Sequence, residues 1–208
     1  MKKRWIMLMA LALGLQMGAA EEPSTNPPAA TKESLLATGR AALEDGLYEM
    51  AQTQFDAYVG LAQSREEKAE GTLWLARVLF AQRRYGEAVN LLSKRRRWAE
   101  RTPFEADFAF WAARAYFEQG LYAEALGLVN TFEQTFAHSP YKTSSARLKA
   151  RCYLHLAQYD LALMSFAQYD KDYPETPDAA DNLLDWAAAL IGLKKMDDAR
   201  NVLVRLIN

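Results

Sequence analysis

Four arginines recur in this 208-residue chain at a fixed interval of 37 residues: Arg40, Arg77, Arg114 and Arg151. A guanidinium group is a planar fork of hydrogen-bond donors that can bind a carboxylate through two parallel hydrogen bonds. If the fold aligns these four side chains, which we name the arginine ladder, their spacing favours an elongated acidic or carboxylate-bearing ligand. The elements that carry them decide whether they align.

The same period of 37 residues runs through the chain beyond residue 31. Its clearest column is Tyr48, Tyr85, Tyr122, Tyr159 and Met196. An alanine follows each of these by three residues, a large apolar residue follows by seven, and a small residue precedes each by nine. Apolar residues at spacings of three, four and seven lie on one face of a helix. Sustained periodicity of this length indicates stacked supersecondary units.

Each unit is predicted to contain a helix A, a short turn and a helix B. Gly46 and Gly120 suit a helix C-terminus in the left-handed conformation. Three Ser/Thr-Pro pairs suit an N-cap followed by proline at the first helical position, and Glu105 could complete a capping box. The pairs are Thr102-Pro103, Ser139-Pro140 and Thr176-Pro177. These signals place the A helices at 32–45, 66–82, 103–119, 140–156 and 177–193, and the B helices at 48–61, 85–97, 122–136, 159–172 and 196–208.

No stretch of the sequence alternates between apolar and polar residues as a strand would. The predicted fold class is therefore all-α, an α-solenoid of about ten helices in five units. The units cover residues 32–68, 69–105, 106–142, 143–179 and 180–208.

The first twenty residues have the pattern of a secretory signal. Lys2, Lys3 and Arg4 form a basic region, the stretch 5–15 is apolar, and small residues lead to a predicted cleavage after Ala20. An uncleaved membrane anchor is the alternative, although the apolar run is short for a span. The absence of cysteine near the cleavage site argues against a lipid anchor. The Pro-rich residues 21–31 are predicted to be a flexible leader, and the mature chain to be soluble and periplasmic or envelope-associated.

Composition excludes several kinds of chemistry. A single cysteine, Cys152, rules out an internal disulfide framework and a multi-cysteine zinc site. A formal net charge of −1 argues against a nucleic-acid partner. The sequence has no Gly-rich phosphate loop and no His-Glu-x-x-His motif. It therefore predicts no metal, no cofactor and no enzymatic activity, although two carboxylates of raised pKa could still meet in a groove.

The turn motif Gly-x-Tyr at residues 46–48 and 120–122, with the small residue of helix A and the alanine of helix B, resembles the tetratricopeptide repeat (TPR). The resemblance covers residues 32–208, with a unit three residues longer than usual. The stretches 132–140 and 166–177 are similar to periplasmic repeats of outer-membrane-assembly lipoproteins and cell-division coordinators. The chain lacks the lipidated cysteine of the first group and the N-terminal heptads of the second.

The resemblance implies a concave groove lined by the A helices, with the arginine ladder along it. Phe80, Phe110 and Phe117 would form apolar rungs that bury side chains of the ligand. The implied function is an exported, non-enzymatic scaffold that binds a protein partner or an extended acidic segment in cell-envelope assembly. Internal pairing is the alternative, of Arg40 with Glu44 and of Arg114 with Glu118 at the helical spacing of four.

Other surfaces have two interpretations each. The basic cluster, defined as Lys94, Arg95, Arg96 and Arg97, could contact anionic lipid or cell-wall polymer, or could be a solvated helix end. A structural protein of the cell wall is therefore the alternative function. The last helix carries Val204 and Ile207 away from its apolar face, which suggests a docking or homodimer surface, or a frayed terminus. Trp74 and Trp111 share a column and are interpreted as packing residues.

Overall fold

The computed structural model describes residues 31–207, which form ten α-helices and no strand. In chain order these are α1 (Lys32–Glu44), α2 (Tyr48–Leu61), α3 (Arg65–Ala81), α4 (Tyr85–Ala99), α5 (Glu105–Glu118), α6 (Tyr122–Thr135), α7 (Lys142–His155), α8 (Tyr159–Asp172), α9 (Ala179–Gly192) and α10 (Met196–Val204). The predicted all-α fold is confirmed. The signal at 1–20 and the leader up to residue 30 lie outside the described residues, and so does the cleavage predicted near Ala20.

The helices stack in chain order. Each helix packs against the next one along the chain, so that odd-numbered A helices alternate with even-numbered B helices. The A helices α3, α5, α7 and α9 also contact one another directly. They therefore form one continuous wall of the solenoid. None of the helices within residues 31–207 is long and apolar enough to cross a membrane.

The repeated small residues lie where helices approach most closely. Ala76, Ala113, Ala150 and Ala187 are buried on the A helices, and Ala51, Ala88, Ala125, Ala162 and Ala199 are buried on the B helices. In the first unit glycine takes the A-helix position, because a Cβ atom at Gly39 would come within 2.6 Å of the Phe55 ring. Small side chains in these columns allow the backbones to approach while large ones such as Phe55 and Phe166 fill the core.

The turns between helices A and B repeat one backbone conformation. Gly46 and Gly120 have positive φ angles of 74° and 79°, as their positions predicted. The corresponding residues of the other units are Arg83, Ala157 and Lys194, with φ between 55° and 60°. An L-amino acid in this region carries a conformational penalty that glycine does not. The repeat geometry therefore imposes the left-handed turn even where the sequence does not favour it.

The Ser/Thr-Pro pairs do not begin the A helices, and this prediction was wrong by two residues. Helix α5 begins at Glu105 rather than at Pro103. The hydroxyl of Thr102 accepts a hydrogen bond from the Phe104 N–H at 3.2 Å, and its carbonyl accepts one from the Glu105 N–H at 3.2 Å. The pair thus forms a turn that leads into the helix. Glu105 Oε2 accepts from the Arg101 N–H at 2.9 Å, so the predicted capping box with Thr102 is not formed.

Candidate functional site

The arginine ladder lies along the wall of A helices, and aromatic rings separate its members. The guanidinium carbon of Arg40 on α1 is 4.6 Å from the ring centroid of Trp74 on α3. That of Arg77 is 4.5 Å from the same ring. Each guanidinium thus stacks on a ring as a cation–π pair. The first two members of the ladder are joined through one indole.

The same arrangement continues along the next units. Arg77 and Arg114 both lie over Trp111, at 5.2 Å and 5.1 Å from its centroid. Arg114 also lies 4.7 Å from the Phe80 ring centroid, and Arg151 lies 4.5 Å from that of Phe117. Sequence reasoning assigned the tryptophans to packing and missed this second role. The available signal was their position three residues before Arg77 and Arg114 on the same helix.

The two outer arginines of the ladder have carboxylate partners on the following A helix. Arg40 Nη2 is 3.2 Å from Glu70 Oε1. Arg151 Nε is 3.5 Å from Asp185 Oδ2, which is an ion pair without the geometry of a hydrogen bond. These partners lie 30 and 34 residues further along the chain. The pairing of Arg40 with Glu44, considered from sequence, is therefore replaced by pairing between units.

The two central arginines have no such partner. No carboxylate within residues 31–207 lies at ion-pair distance from Arg77 or Arg114, so the alternative of pairing with Glu118 is also not formed. Arg77 Nη2 donates to the Tyr141 hydroxyl at 3.5 Å, and that hydroxyl donates to Asp107 Oδ1 at 2.6 Å. Burial and this hydrogen bond raise the pKa of Tyr141. The phenol therefore stays protonated and bridges a cation to an anion.

Arg114 is the least compensated cation of the ladder. Its side chain is half-buried and forms no hydrogen bond with any other described residue. Burial lowers the pKa of the Arg114 guanidinium; the nearby Glu118 carboxylate partly opposes this, and the neighbouring Arg151 lowers the pKa further. Removing a charge from water without supplying a counter-ion is unfavourable. An anion brought to this point would relieve that cost.

A concave pocket of about 260 Å³ opens beside Arg114. Its charged lining residues are Arg114, Glu118, Arg147, Arg151 and Asp178, and Trp111 and Tyr141 supply aromatic surface. Three aspartates of the α9 region surround Arg147: Asp178 at 3.6 Å, Asp181 at 3.5 Å and Asp185 at 3.3 Å. Arg147 is therefore neutralised within the chain. Arg114 is the cation of this lining that forms no ion pair within residues 31–207, and Glu118 lies on the same lining.

The three predicted apolar rungs are placed differently from one another. Phe80 is half-buried beside Arg114. Phe110 and Phe117 are each 5% exposed, and Phe110 contributes to the lining of the pocket beside Arg114. That these rings bury side chains of a ligand stays a prediction. Phe110 stacks on Tyr141 at 4.4 Å between ring centroids, and Phe117 packs edge-on against Tyr122 at 5.2 Å. Residues of the following unit cover both rings. Phe110 and Phe117 are therefore packed inside the stack of helices.

The basic cluster lies at the end of the B helix α4, away from the ladder. Lys94, Arg96 and Arg97 are exposed, whereas Arg95 folds over the Trp98 ring at 5.1 Å. In the last unit, Val204 and Ile207 are exposed at 45% and 85%. Within residues 31–207 no group of three potential metal ligands comes together. Cys152 is buried, which raises the pKa of its thiol to about 12.

The repeats match one protein-family model and several solved structures. The family model described as anaphase-promoting complex, cyclosome, subunit 3 matches residues 96–169. A putative kinesin light chain from Podosopora anserina, solved with nearly identical TPR-like repeats, superposes with a TM-score of 0.68 at 20% identity, over 84% of this chain and 92% of that one. The chain therefore has the fold of a TPR-like α-solenoid. A comparison with curated proteins finds no match.

Other TPR-like structures of comparable size have the same fold. MamA from Desulfovibrio magneticus RS-1 superposes with a TM-score of 0.68 at 13% identity, covering 85% of this chain and 93% of that one. YrrB, described as a TPR protein with an unusual peptide-binding site, superposes with a TM-score of 0.61 at 16% identity, covering 86% and 87%. At these identities the likeness establishes the TPR fold, which is typical of protein–protein interaction scaffolds.

Proposed function

We propose that this chain is an exported, non-enzymatic TPR scaffold that binds an extended acidic segment of a protein partner along its arginine ladder. The observation that carries the proposal is the pair of central arginines, Arg77 and Arg114, which are held in place without a carboxylate partner. The peptide-binding site named for YrrB supports a peptide as the class of ligand.

The aromatic rings prepare the central arginines for binding. Arginine side chains are flexible, and immobilising each one on binding costs about 0.5–1.5 kcal/mol. Trp111 and Phe80 already restrain the Arg114 guanidinium in the absence of a ligand. An arriving carboxylate therefore gains charge-assisted hydrogen bonds without the full ordering cost.

The spacing of the ladder indicates the register of the ligand. Packed helices lie on the order of 10 Å apart. An extended chain in the polyproline-II conformation rises about 3.1 Å per residue with three residues per turn, so that side chains three residues apart lie on one face. Carboxylates that contact Arg77 and Arg114 together would then be about three residues apart. Because Glu70 and Asp185 already occupy the outer arginines, the acidic residues belong at the centre of the segment. A core of the form Glu-x-x-Glu fits this arrangement.

We also propose that the chain is exported from the cytoplasm. The basic residues Lys2, Lys3 and Arg4, followed by an apolar stretch and small residues up to Ala20, support secretion across a membrane. The partner would then be met in the periplasm or at the cell envelope, and envelope assembly is the process we propose. The exposed Val204 and Ile207 offer a further docking or homodimer surface.

The test is crosslinking capture of partners from intact envelopes. A double variant, Arg77→Glu with Arg114→Glu, should lose the partner that the wild-type chain captures while it keeps the helical content. Its unfolding temperature should fall, because the cation–π contacts of both arginines are lost. The matched control is Arg96→Glu with Arg97→Glu, which reverses two exposed charges of the basic cluster. If the Arg77→Glu, Arg114→Glu variant captured the partner as well as the wild-type chain does, the groove would not be the binding site.

The basic cluster supports the second candidate, a structural protein bound to anionic cell-wall polymer. Lys94, Arg96 and Arg97 project from one helix end into solvent, where they can meet a polyanion. Co-sedimentation with purified cell walls distinguishes the two candidates. Loss of sedimentation in the Arg96→Glu, Arg97→Glu variant, together with unchanged partner capture, would favour this second function for the cluster alone.

A further inference from the structure

A second concavity, of about 330 Å³, lies between the B helices α4 and α6 with α5 as its floor. Its apolar lining is Leu92, Ala99, Phe108, Ala109, Ala112, Tyr116, Leu128, Phe132 and Phe136. Helix α5 separates it from the arginine ladder: Trp111 and Arg114 lie on one face, and Ala112 and Tyr116 on the other. It falls at the lower end of the usual volume for small-molecule sites, about 300–1,000 Å³.

One column of the repeat carries a small side chain here. Ala112 corresponds to Thr38, Leu75, Lys149 and Trp186 in the first, second, fourth and fifth units. Leu75 lines the corresponding concavity between α2 and α4, of about 370 Å³, whose lining includes the charged Asp56, Arg84, Glu87, Lys94 and Arg95. The pocket over Ala112 differs from it in its largely apolar lining.

Three polar side chains of the lining have partners within residues 31–207, and Arg96 at the rim has none there. Thr131 donates to the Gly127 carbonyl at 3.1 Å, and Thr135 donates to the Thr131 carbonyl at 2.8 Å. Glu105 accepts from the Arg101 N–H at 2.9 Å. Arg96 is exposed at the rim, and its guanidinium has no hydrogen-bond or ion-pair partner in the part of the chain that the structure describes.

We propose that this pocket binds a single-chain anionic amphiphile of the fatty-acid class. The hydrocarbon chain lies over Ala112 between Leu128 and Phe108, and the carboxylate pairs with Arg96 at the rim. An apolar interior with one cation at its mouth complements that chemistry. This site is independent of the arginine ladder, because it opens on the opposite face of α5.

Decanoate is the probe, and calorimetric titration of the purified chain is the measurement. We expect saturable binding of one decanoate per chain, with affinity rising about fourfold per methylene from hexanoate until the pocket is full. Decanol and decyltrimethylammonium, which lack the carboxylate, should bind at least tenfold more weakly. Absence of saturable binding would overturn the proposal.

Two variants locate the ligand. Ala112→Leu places three additional carbon atoms in the floor of the pocket and should abolish binding, whereas Arg96→Glu should weaken it at least tenfold. Arg97→Glu is the matched control, because it removes an adjacent exposed charge that does not line the pocket. Decanoate binding that survives Ala112→Leu in a chain with unchanged helical content contradicts the assignment. If Ala112→Leu does not fold, equal binding by the Arg96→Glu and Arg97→Glu variants overturns it instead.

A vesicle assay separates a discrete ligand from a membrane surface. Vesicles of phosphatidylglycerol should bind the wild-type and Ala112→Leu chains equally, because surface charge does not require the pocket. A different result would contradict the proposal: decanoate binds neither the wild-type chain nor Ala112→Leu, and Ala112→Leu loses vesicle binding. The pocket would then bind lipid only at a membrane surface and would not bind a free fatty acid. An amphipathic acidic peptide that binds the pocket when decanoate does not would likewise contradict it.

Discussion

Arg77 and Arg114 share one indole ring, with their guanidinium carbons 5.2 Å and 5.1 Å from the centroid of Trp111. Two like charges are thus held at neighbouring positions without an anion between them. Each cation–π contact contributes about 0.5–1 kcal/mol at such a site, which offsets part of the repulsion. If the ladder binds an acidic segment as proposed, Trp111 couples stability to ligand binding.

Trp111→Leu should weaken both properties. Loss of two cation–π contacts and of aromatic packing should lower the free energy of unfolding by about 2–3 kcal/mol, measured by urea denaturation. Affinity for an acidic peptide should fall at least tenfold, because both guanidinium groups become mobile. Trp98→Leu is the control: this ring carries Arg95 and Lys68 on α4 and α3. It should cost similar stability and leave peptide affinity unchanged.

The left-handed turns offer a stabilising change. Ala157 has a φ of 55° at the position that glycine occupies at Gly120. Ala157→Gly should raise the free energy of unfolding by about 1 kcal/mol, and Gly120→Ala should lower it by a similar amount. Ala37→Gly, at an exposed position inside α1, is the control and should destabilise by about 1 kcal/mol. Destabilisation by Ala157→Gly would show that the turn does not impose this conformation in solution.

Arg147 holds three aspartates together, whereas its column carries Leu73 and Leu184 in other units. Arg147→Leu should restore apolar character but leave the carboxylates without a cation, at a cost of about 2 kcal/mol. The cost should shrink in about 1 M salt, because screening weakens their mutual repulsion. A variant as stable as the wild-type chain at low salt would show that the ion pairs contribute nothing net.

The Glu67 carboxylate makes the first two units sensitive to acid. The Lys32 ammonium, and then the N–H groups of Gln63 and Ser64, lower the pKa of Glu67 from 4.5 to about 2. A lowered carboxyl pKa stabilises the fold above the unfolded value, and that stabilisation is lost as the pH falls towards about 2. Denaturation of wild type and Glu67→Gln should therefore differ at pH 6 and converge near pH 2. A difference in unfolding free energy between the two proteins that does not depend on pH would contradict the ion pair.

The fold could be predicted from the sequence because each unit repeats the same helical pattern. The columns led by Tyr48 and Ala51 fixed most helix bounds to within two residues. The predicted starts of the A helices were wrong where one short sequence motif is compatible with two local structures. Ser139-Pro140 suits both a helix N-cap and the turn that precedes Lys142. The structure has the turn, in which the Ser139 hydroxyl accepts from the Tyr141 N–H at 3.2 Å and the Ser139 carbonyl accepts from the Lys142 N–H at 3.0 Å.

The site could be predicted in part, since residues one period apart take equivalent places on successive A helices. What the sequence could not show is which charges are neutralised across units. Arg40 finds Glu70 rather than Glu44, a partner determined by the distance between helices. Burial of Phe110 and Phe117 likewise depends on the following unit covering them.

The most direct measurement compares central and outer arginines in titrations with a peptide that contains a Glu-x-x-Glu core. The double variant Arg77→Gln with Arg114→Gln removes the two cations without carboxylate partners, and Arg40→Gln with Arg151→Gln removes the two that have them. We expect the central double variant to lose at least tenfold in affinity and the outer double variant to lose less than threefold. Only the central double variant should show a weaker dependence of affinity on salt. Equal losses, or a larger loss for the outer pair, would contradict it.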